Sequence, residues 1–203
     1  MNAVAGGVPV SHVLYLHGFR SSPLSTKAQK VAEWFATERP EVTWCCPQLP
    51  ASPRAAFDRI LQAVDGWPPA RMAVIGSSLG GYYATALAER TGCRAVLLNP
   101  AVHPARDLAA QVGVTTAWHS ADRFEFRAEY IDELRELEVG GLSHPERCLA
   151  IIAKGDEVLS WREMTERYRV ARVKLLEGGD HALSDFDDHL PDVVRFIGLG
   201  PVQ

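Results

Sequence analysis

Short, nearly continuous apolar runs recur along the chain and alternate with segments whose apolar residues follow a helical spacing. In one such segment, Phe57, Ile60, Leu61 and Val64 follow the i, i+3, i+4, i+7 spacing of one helix face. Apolar runs this short are typical of parallel strands that are covered on both faces. The pattern predicts strands at 12–16, 42–46, 72–77, 94–98, 148–153 and 172–176, with helices at 24–37, 55–64, 82–90, 160–168 and 190–197.

The alternation of strands and helices predicts an α/β fold, because consecutive parallel strands need a crossover connection between them. We expect about six mostly parallel strands with helices on both faces of the sheet. The length of the chain fits a single domain, which we place at residues 1–203.

One segment, between the fourth and fifth predicted strands, breaks this alternation. Residues 101–147 are too many for a bare loop in a compact domain, so we expect an insertion with its own short helices, one of them at 130–138. We expect it to lie as a lid over the carboxyl ends of the strands. Its aromatic side chains either form an apolar pocket or pack against the core: Trp118, His119, Phe124, Phe126 and Tyr130.

The composition is that of a soluble globular protein, with 47% hydrophobic and 23% charged residues. A formal net charge of -4 gives no reason to expect nucleic acid or an anionic membrane as partner. The first ten residues lack the pattern of a signal peptide, and no apolar stretch approaches the roughly 18 residues of a spanning helix. Four cysteines without a C-x-x-C pair indicate reduced thiols and a cytoplasmic location: Cys45, Cys46, Cys93 and Cys148.

The sequence Gly76-Ser77-Ser78-Leu79-Gly80 follows the third predicted strand and precedes a predicted helix. It matches G-x-S-x-G, in which a serine on a sharp strand-to-helix turn presents its hydroxyl as a nucleophile. Residues two before and two after that serine come close together, so both must lack a Cβ. Ser78 has glycine at both positions, whereas Ser77 does not, which makes Ser78 the candidate nucleophile.

A serine hydroxyl needs a base, and the base needs an acid that fixes its tautomer. Function in open parallel sheets gathers at the carboxyl ends of the strands, so we examine the loops after the last two strands. Asp156 follows the fifth strand and His181 follows the sixth, in the order serine, acid, histidine of this motif. We therefore predict that Ser78, Asp156 and His181 form a catalytic triad.

Several neighbours compete for these roles. Glu157 adjoins Asp156, but on a short turn we expect it to point elsewhere. For Asp180 and Asp185 we expect salt-linking or loop capping, and for His17 a structural role. A metal site that joins His181 to Asp185 stays open, although no H-E-x-x-H or similar spacing supports it.

The loop after the first strand supplies a further element, His17-Gly18-Phe19-Arg20. Acyl transfer builds negative charge on a carbonyl oxygen, and preorganised backbone N–H groups stabilise it. We predict an oxyanion hole from the N–H groups of Phe19 and Leu79, with a plain turn as the alternative for the first loop. No G-x-x-x-x-G-K-[ST] or G-x-G-x-x-G motif appears, so we predict no nucleotide cofactor.

Five stretches, in order over nearly the whole chain, carry a family resemblance: Tyr15-Leu16-His17-Gly18-Phe19 with Ser21-Ser22-Pro23, Gly76-Ser77-Ser78-Leu79-Gly80-Gly81-Tyr82, Leu98-Asn99-Pro100-Ala101, Gly155-Asp156-Glu157-Val158-Leu159, and Glu177-Gly178-Gly179-Asp180-His181-Ala182. Together they resemble the small bacterial α/β-hydrolase esterases of the YqiA type. The resemblance implies a carboxylester or thioester hydrolase with the triad named above. Residues 101–147 match poorly, so substrate choice does not transfer, and Ser160 and Asp180 depart from the family pattern in loop detail.

The expected fold is thus a minimal α/β hydrolase with spatial strand order 2-1-3-4-5-6. The expected function is hydrolysis of a small-molecule ester or thioester through an acyl-enzyme on Ser78. Two alternatives stay open, namely a catalytically silent binding protein with this fold and an acyltransferase that uses the same triad.

Overall fold

A computed structural model of the chain describes residues 9–116 and 123–200. Eight strands follow one another along the sequence: β1 His12–Leu16, β2 Thr43–Cys45, β3 Met72–Ser77, β4 Arg94–Leu98, β5 Gly113–Thr116, β6 Arg123–Phe126, β7 Cys148–Ala153 and β8 Arg172–Leu176. Six of them form one parallel sheet in the order β2-β1-β3-β4-β7-β8, and β5 and β6 form a separate antiparallel pair. The predicted α/β fold and strand order are confirmed.

Within the described residues, seven α-helices connect and flank the strands: α1 Thr26–Glu38, α2 Pro53–Ala63, α3 Leu79–Thr91, α4 Pro104–Asp107, α5 Tyr130–Glu136, α6 Trp161–Arg167 and α7 Leu190–Phe196. Local chemistry fixes several of their ends. The Ser52 side chain accepts a hydrogen bond from the Ala55 N–H, and Pro53 occupies the first turn of α2, where its missing N–H has no consequence. Gly92 ends α3 in the left-handed conformation at φ 72°, which only glycine adopts without strain.

The sheet is covered on both faces, and successive residues of each strand serve opposite faces. Along β1, Leu14 and Leu16 pack in one layer with α2, α3, α5 and α6, whereas Val13 and Tyr15 pack in the other with α1 and α7. Each central strand is therefore apolar at almost every position, which explains the unbroken apolar runs in the sequence.

The segment 101–147 contains α4, the β5–β6 pair and α5. The Tyr82 hydroxyl donates a 2.6 Å hydrogen bond to the Leu134 carbonyl and thereby ties α5 to α3. The rings of Phe124 and Phe126 pack edge-on against Phe19, with centroids 5.2 Å apart in each pair. The short helices occur as expected, and the β5–β6 pair is an addition that the pattern did not predict. Trp118 and His119 lie outside the described residues.

The four cysteines are free thiols, with Cys93 and Cys148 buried and Cys45 and Cys46 half-buried. Burial raises the pKa of the Cys148 thiol to about 12, so this thiol stays protonated at neutral pH. Among the described helices, none combines the length and apolar character that crossing a membrane requires.

Candidate active site

Ser78 stands at the turn between β3 and α3 with φ 56° and ψ −120°, a conformation that non-glycine residues rarely adopt. A Cβ on Gly76 would lie 2.2 Å from the Gly80 carbonyl oxygen, and a Cβ on Gly80 would lie 2.0 Å from the Leu16 carbonyl oxygen. The predicted close approach around Ser78 is thus confirmed. It also involves β1, because Gly80 packs against the end of that strand.

The loops after β7 and β8 bring two distant residues to this turn. The Ser78 Oγ lies 3.1 Å from His181 Nε2, and His181 Nδ1 lies 2.8 Å from Asp156 Oδ2. A carboxylate can only accept a hydrogen bond, so His181 Nδ1 carries the proton and His181 Nε2 is the acceptor that faces the serine hydroxyl. The three predicted triad residues therefore form one continuous hydrogen-bonded chain.

The Asp156 carboxylate is fully buried, and its second oxygen is held by the backbone. Asp156 Oδ1 accepts hydrogen bonds from the N–H groups of Val158, at 2.8 Å, and Leu159, at 2.7 Å. These two bonds and the bond to His181 fix the rotation of the carboxylate. Because the Asp156 carboxylate is held in one orientation, it can orient the His181 imidazole.

Two residues hold the His181 loop, and neither was predicted from the sequence to do so. Buried Asn99, at the end of β4, donates through Nδ2 to the carbonyls of Asp180, at 2.9 Å, and His181, at 3.2 Å, while its Oδ1 accepts from the Ala153 N–H at 2.8 Å. Glu157 accepts a 3.0 Å bond from the His181 backbone N–H, so its carboxylate does not contact the imidazole in the way that Asp156 does. An asparagine directly after a buried strand was the available signal for the first residue.

The other candidate residues, His17, Asp180 and Asp185, have side-chain partners outside the predicted triad. His17 is buried, and its Nε2 accepts from the Leu49 N–H at 3.1 Å. Asp180 caps its loop through the N–H and hydroxyl of Ser184, at 2.9 and 2.6 Å, as expected. Asp185 lies 3.4 Å from His189 rather than beside His181. Within residues 9–116 and 123–200, no group of three or more His, Cys, Asp or Glu side chains is arranged to hold a metal ion.

Two segments adjoin Ser78: Leu79 follows it in the chain, and the loop of Phe19 passes close by. A Cβ built on Gly18 would lie 3.3 Å from the Ser78 Cβ. Neither the Phe19 N–H nor the Leu79 N–H donates a hydrogen bond to another residue in the described part of the chain. An unused N–H donor is what a developing oxyanion requires, and the oxyanion hole of Phe19 and Leu79 stays a prediction.

A cavity of about 450 Å³ opens onto Ser78 and His181. Its walls come from the loop after β1, the start of α3, the loop after β7 and the region of α4. The apolar part includes Phe19, Leu79, Pro104, Leu108, Val158 and Leu159. Phe124 and Phe126 do not line it and pack on Phe19 instead, so among the described residues of 101–147 those that reach the cavity lie in and around α4.

Comparisons with known proteins agree with this architecture. A mouse protein, alpha/beta hydrolase domain-containing protein 10, is 13% identical, with 96% of this chain and 97% of that chain covered and a TM-score of 0.69. The ferulic acid-bound Est1E of Butyrivibrio proteoclasticus is 15% identical, with 92% and 87% covered and a TM-score of 0.68. At these identities the likeness shows the fold, which is that of an α/β hydrolase.

Sequence relatives match this chain over nearly its full length. A UPF0227 protein of Yersinia enterocolitica is 23% identical over 193 residues, which covers 93% of this chain and 99% of the relative. The model of the uncharacterised protein family UPF0227 matches residues 12–198. The chain therefore belongs to the UPF0227 family.

Proposed function

We propose that this protein is a serine hydrolase that cleaves carboxylic esters or thioesters through an acyl-enzyme on Ser78. The observation that carries the proposal is the chain of hydrogen bonds from Asp156 through His181 to the Ser78 hydroxyl, at 2.8 and 3.1 Å. The esterases among the solved structures of similar fold support it, since Est1E and a Pyrococcus furiosus esterase share this architecture.

In the first half of the reaction, the Ser78 oxygen attacks the acyl carbon while its proton passes to His181 Nε2. The carbonyl oxygen becomes an oxyanion that accepts hydrogen bonds from the N–H groups of Phe19 and Leu79. The oxyanion then re-forms the carbonyl, the bond to the leaving alcohol or thiol breaks, and His181 gives its proton to the leaving atom. Asp156 stabilises the imidazolium between these two transfers.

In the second half, water takes the place of the leaving group. His181 accepts a proton from the water as the water oxygen attacks the acyl carbon of the Ser78 ester. A second oxyanion forms at the same two N–H groups and collapses, which releases a carboxylic acid and restores the serine hydroxyl. Removal of one such N–H donor typically lowers turnover by about 100-fold to 1000-fold.

The segment 101–147 serves, in this proposal, as a roof over the reacting groups. Pro104, Leu108 and Gln111 border the cavity on the side of α4. Their position suits contact with a small acyl group, and the shielded site strengthens the hydrogen bonds that stabilise the oxyanion.

Labelling with a fluorophosphonate, followed by mass spectrometry of the adduct peptide, tests the proposal. We expect an adduct on Ser78 that disappears in Ser78→Ala and His181→Ala, while Ser77→Ala retains it. Folded wild-type protein that forms no adduct at Ser78 would overturn the proposal in favour of a binding protein. Product analysis with methanol as a competing acceptor distinguishes hydrolysis from acyl transfer.

A further inference from the structure

The active-site cavity has two chemically different ends. Towards α4 and the loop after β7 its walls are mostly apolar. Towards α1 they carry hydrogen-bond donors, namely the side chains of Tyr15, Ser21, Ser25 and Lys27. Among the described residues that line the cavity, one carries a carboxylate, namely Asp107, which pairs with Arg106 at 2.7 Å.

Lys27 places a charge at the donor-rich end. Its Nζ donates a hydrogen bond to the carbonyl of Ala182, the residue after His181. In the described part of the chain it forms no salt bridge. The two carboxylates that act on its charge have other partners, since Asp156 bonds to His181 and Asp180 bonds to Ser184. An ammonium offers three donors, so at least one N–H of Lys27 is available to a bound molecule.

Two further features make this end suited to an anion. Ser25 precedes the 13-residue helix α1, does not cap it with its side chain, and no acidic residue occupies the first turn. The positive end of the helix dipole is thus unneutralised beside the cavity. The hydroxyl of Tyr15 is fully buried at the cavity wall and makes no hydrogen bond within the described residues, with the Ser77 side chain as its polar neighbour.

The position of Lys27 also indicates which part of a substrate it meets. The leaving atom receives its proton from His181 and therefore lies on the His181 side of the acyl carbon. Lys27 contacts the residue next to His181 and so lies on that same side. We propose that Lys27, with the start of α1, binds a carboxylate or phosphate on the leaving group of the ester or thioester. This inference rests on the proposed serine hydrolase function.

Matched esters test the proposal by kinetics. The neutral probe is methyl 4-butyryloxybenzoate, and the anionic probes are 4-butyryloxybenzoate and 4-butyryloxyphenyl phosphate. In Lys27→Met we expect kcat/KM for the anionic esters to fall about tenfold more than for the neutral ester, since a charge-assisted hydrogen bond is lost. Lys27→Arg restores most of the difference. Lys30→Met is the control, because Lys30 lies one turn further along α1 and pairs with Asp187.

Two outcomes contradict the proposal. An equal loss for neutral and anionic esters would make Lys27 a positioning residue for the His181 loop. A selective loss for monophenyl succinate, whose carboxylate lies on the acyl group, would contradict the assignment to the leaving group. Selective loss for one anionic ester alone identifies carboxylate or phosphate as the preferred group and supports the proposal.

A binding experiment keeps this inference separate from the proposed hydrolase function. Ser78→Ala protein is titrated calorimetrically with phenyl phosphate and with benzoate, neither of which requires catalysis. We expect Ser78→Ala protein to bind at least one of the two anions. Loss of this binding in the double variant with Lys27→Met, but not in the double variant with Lys30→Met, supports the proposal even if no ester is hydrolysed. Failure of both anions to bind, or binding that Lys27→Met leaves unchanged, overturns it.

The dependence on pH gives an independent readout. Burial lowers the pKa of Lys27 to about 8, although Asp180 and Asp156 act in the opposite direction. Lys27 is charged below this pH and neutral above it, so the preference for anionic esters declines as the pH rises from 7 to 9. The charged groups that act on Lys27 are Asp180 and Asp156. Hydrogen bonds from Ser184 lower the pKa of Asp180, so this carboxylate stays ionised over the range. Because the neutral and anionic esters are compared at each pH, any change in the triad itself affects both alike.

Discussion

The edge of the sheet that carries Ser78 and the described part of segment 101–147, for which we propose the role of a roof, are held in place in different ways. At the edge, backbone groups make the decisive contacts: the Ser78 N–H donates to the Leu98 carbonyl, and the Ser78 carbonyl accepts from the Ala101 N–H, each at 3.0 Å. The roof is attached through side chains, both buried, as where the Tyr82 hydroxyl bonds to the Leu134 carbonyl, and exposed, as where Arg54 pairs with Glu136 at 2.6 Å. The edge is therefore fixed by backbone features common to many sequences of this fold, whereas side-chain substitutions can alter the roof.

The largest effect that this contrast predicts is on stability at the edge. Gly80→Ala would place a Cβ against the backbone of β1, which cannot move without disturbing the sheet. We expect a loss of about 3 kcal/mol or more in the free energy of unfolding, measured by urea denaturation. Gly140→Ala is the matched control in the roof, because nothing lies within 4 Å of its added Cβ. Equal stability of the two variants would remove the distinction between edge and roof.

An intermediate effect is expected where the edge depends on a side chain. Asn99→Ala removes three hydrogen bonds that position the His181 loop, so we expect kcat to fall about 10-fold to 100-fold with little change in KM. The rate of fluorophosphonate labelling of Ser78 should fall in parallel.

Thr85→Val provides the comparison for Asn99→Ala. Thr85 is also buried and bonds to the Gly81 carbonyl and the Tyr168 hydroxyl, without contact to the triad. We expect this variant to lower the melting temperature and leave kcat unchanged. If Asn99→Ala changed only the melting temperature, Asn99 would have a structural role alone.

The smallest effect is expected in the roof. Leu108→Ala shortens an apolar side chain that borders the cavity, so the preference for hexanoate over acetate esters should fall about threefold to tenfold. Activity on acetate should stay near the wild-type value. Val112→Ala is the control, since this residue is 45% exposed and lies outside the cavity wall. Unchanged chain-length preference in Leu108→Ala would place acyl recognition elsewhere.

The sequence was most informative where a short motif, or a position just after a predicted strand, pointed to a particular residue. The positions of the six strands of the main sheet followed from short apolar runs, which are typical of strands covered on both faces, and their spatial order followed from the resemblance to α/β hydrolases. The motif around Ser78 could be identified because the turn forbids a Cβ at Gly76 and Gly80. Asp156 and His181 were found by position alone, since each directly follows a strand of the same parallel sheet.

Other features depend on contacts that no local pattern reports. The antiparallel pair of β5 and β6 is short, and the apolar residues Phe124 and Phe126 were equally consistent with a pocket or with core packing. The bonds of Asn99 reach carbonyls more than 80 positions away in the sequence. Lys27 gave no signal because its importance arises only when the start of α1 meets the loop after β8.

The backbone conformation of Ser78 carries a cost in stability. At φ 56° and ψ −120°, a residue with a Cβ strains the backbone of the folded state, and glycine would remove this strain. Exchange of this serine for glycine would therefore stabilise the fold and remove the hydroxyl. On the proposed function, the Ser78 hydroxyl is what the chain retains at this cost in stability.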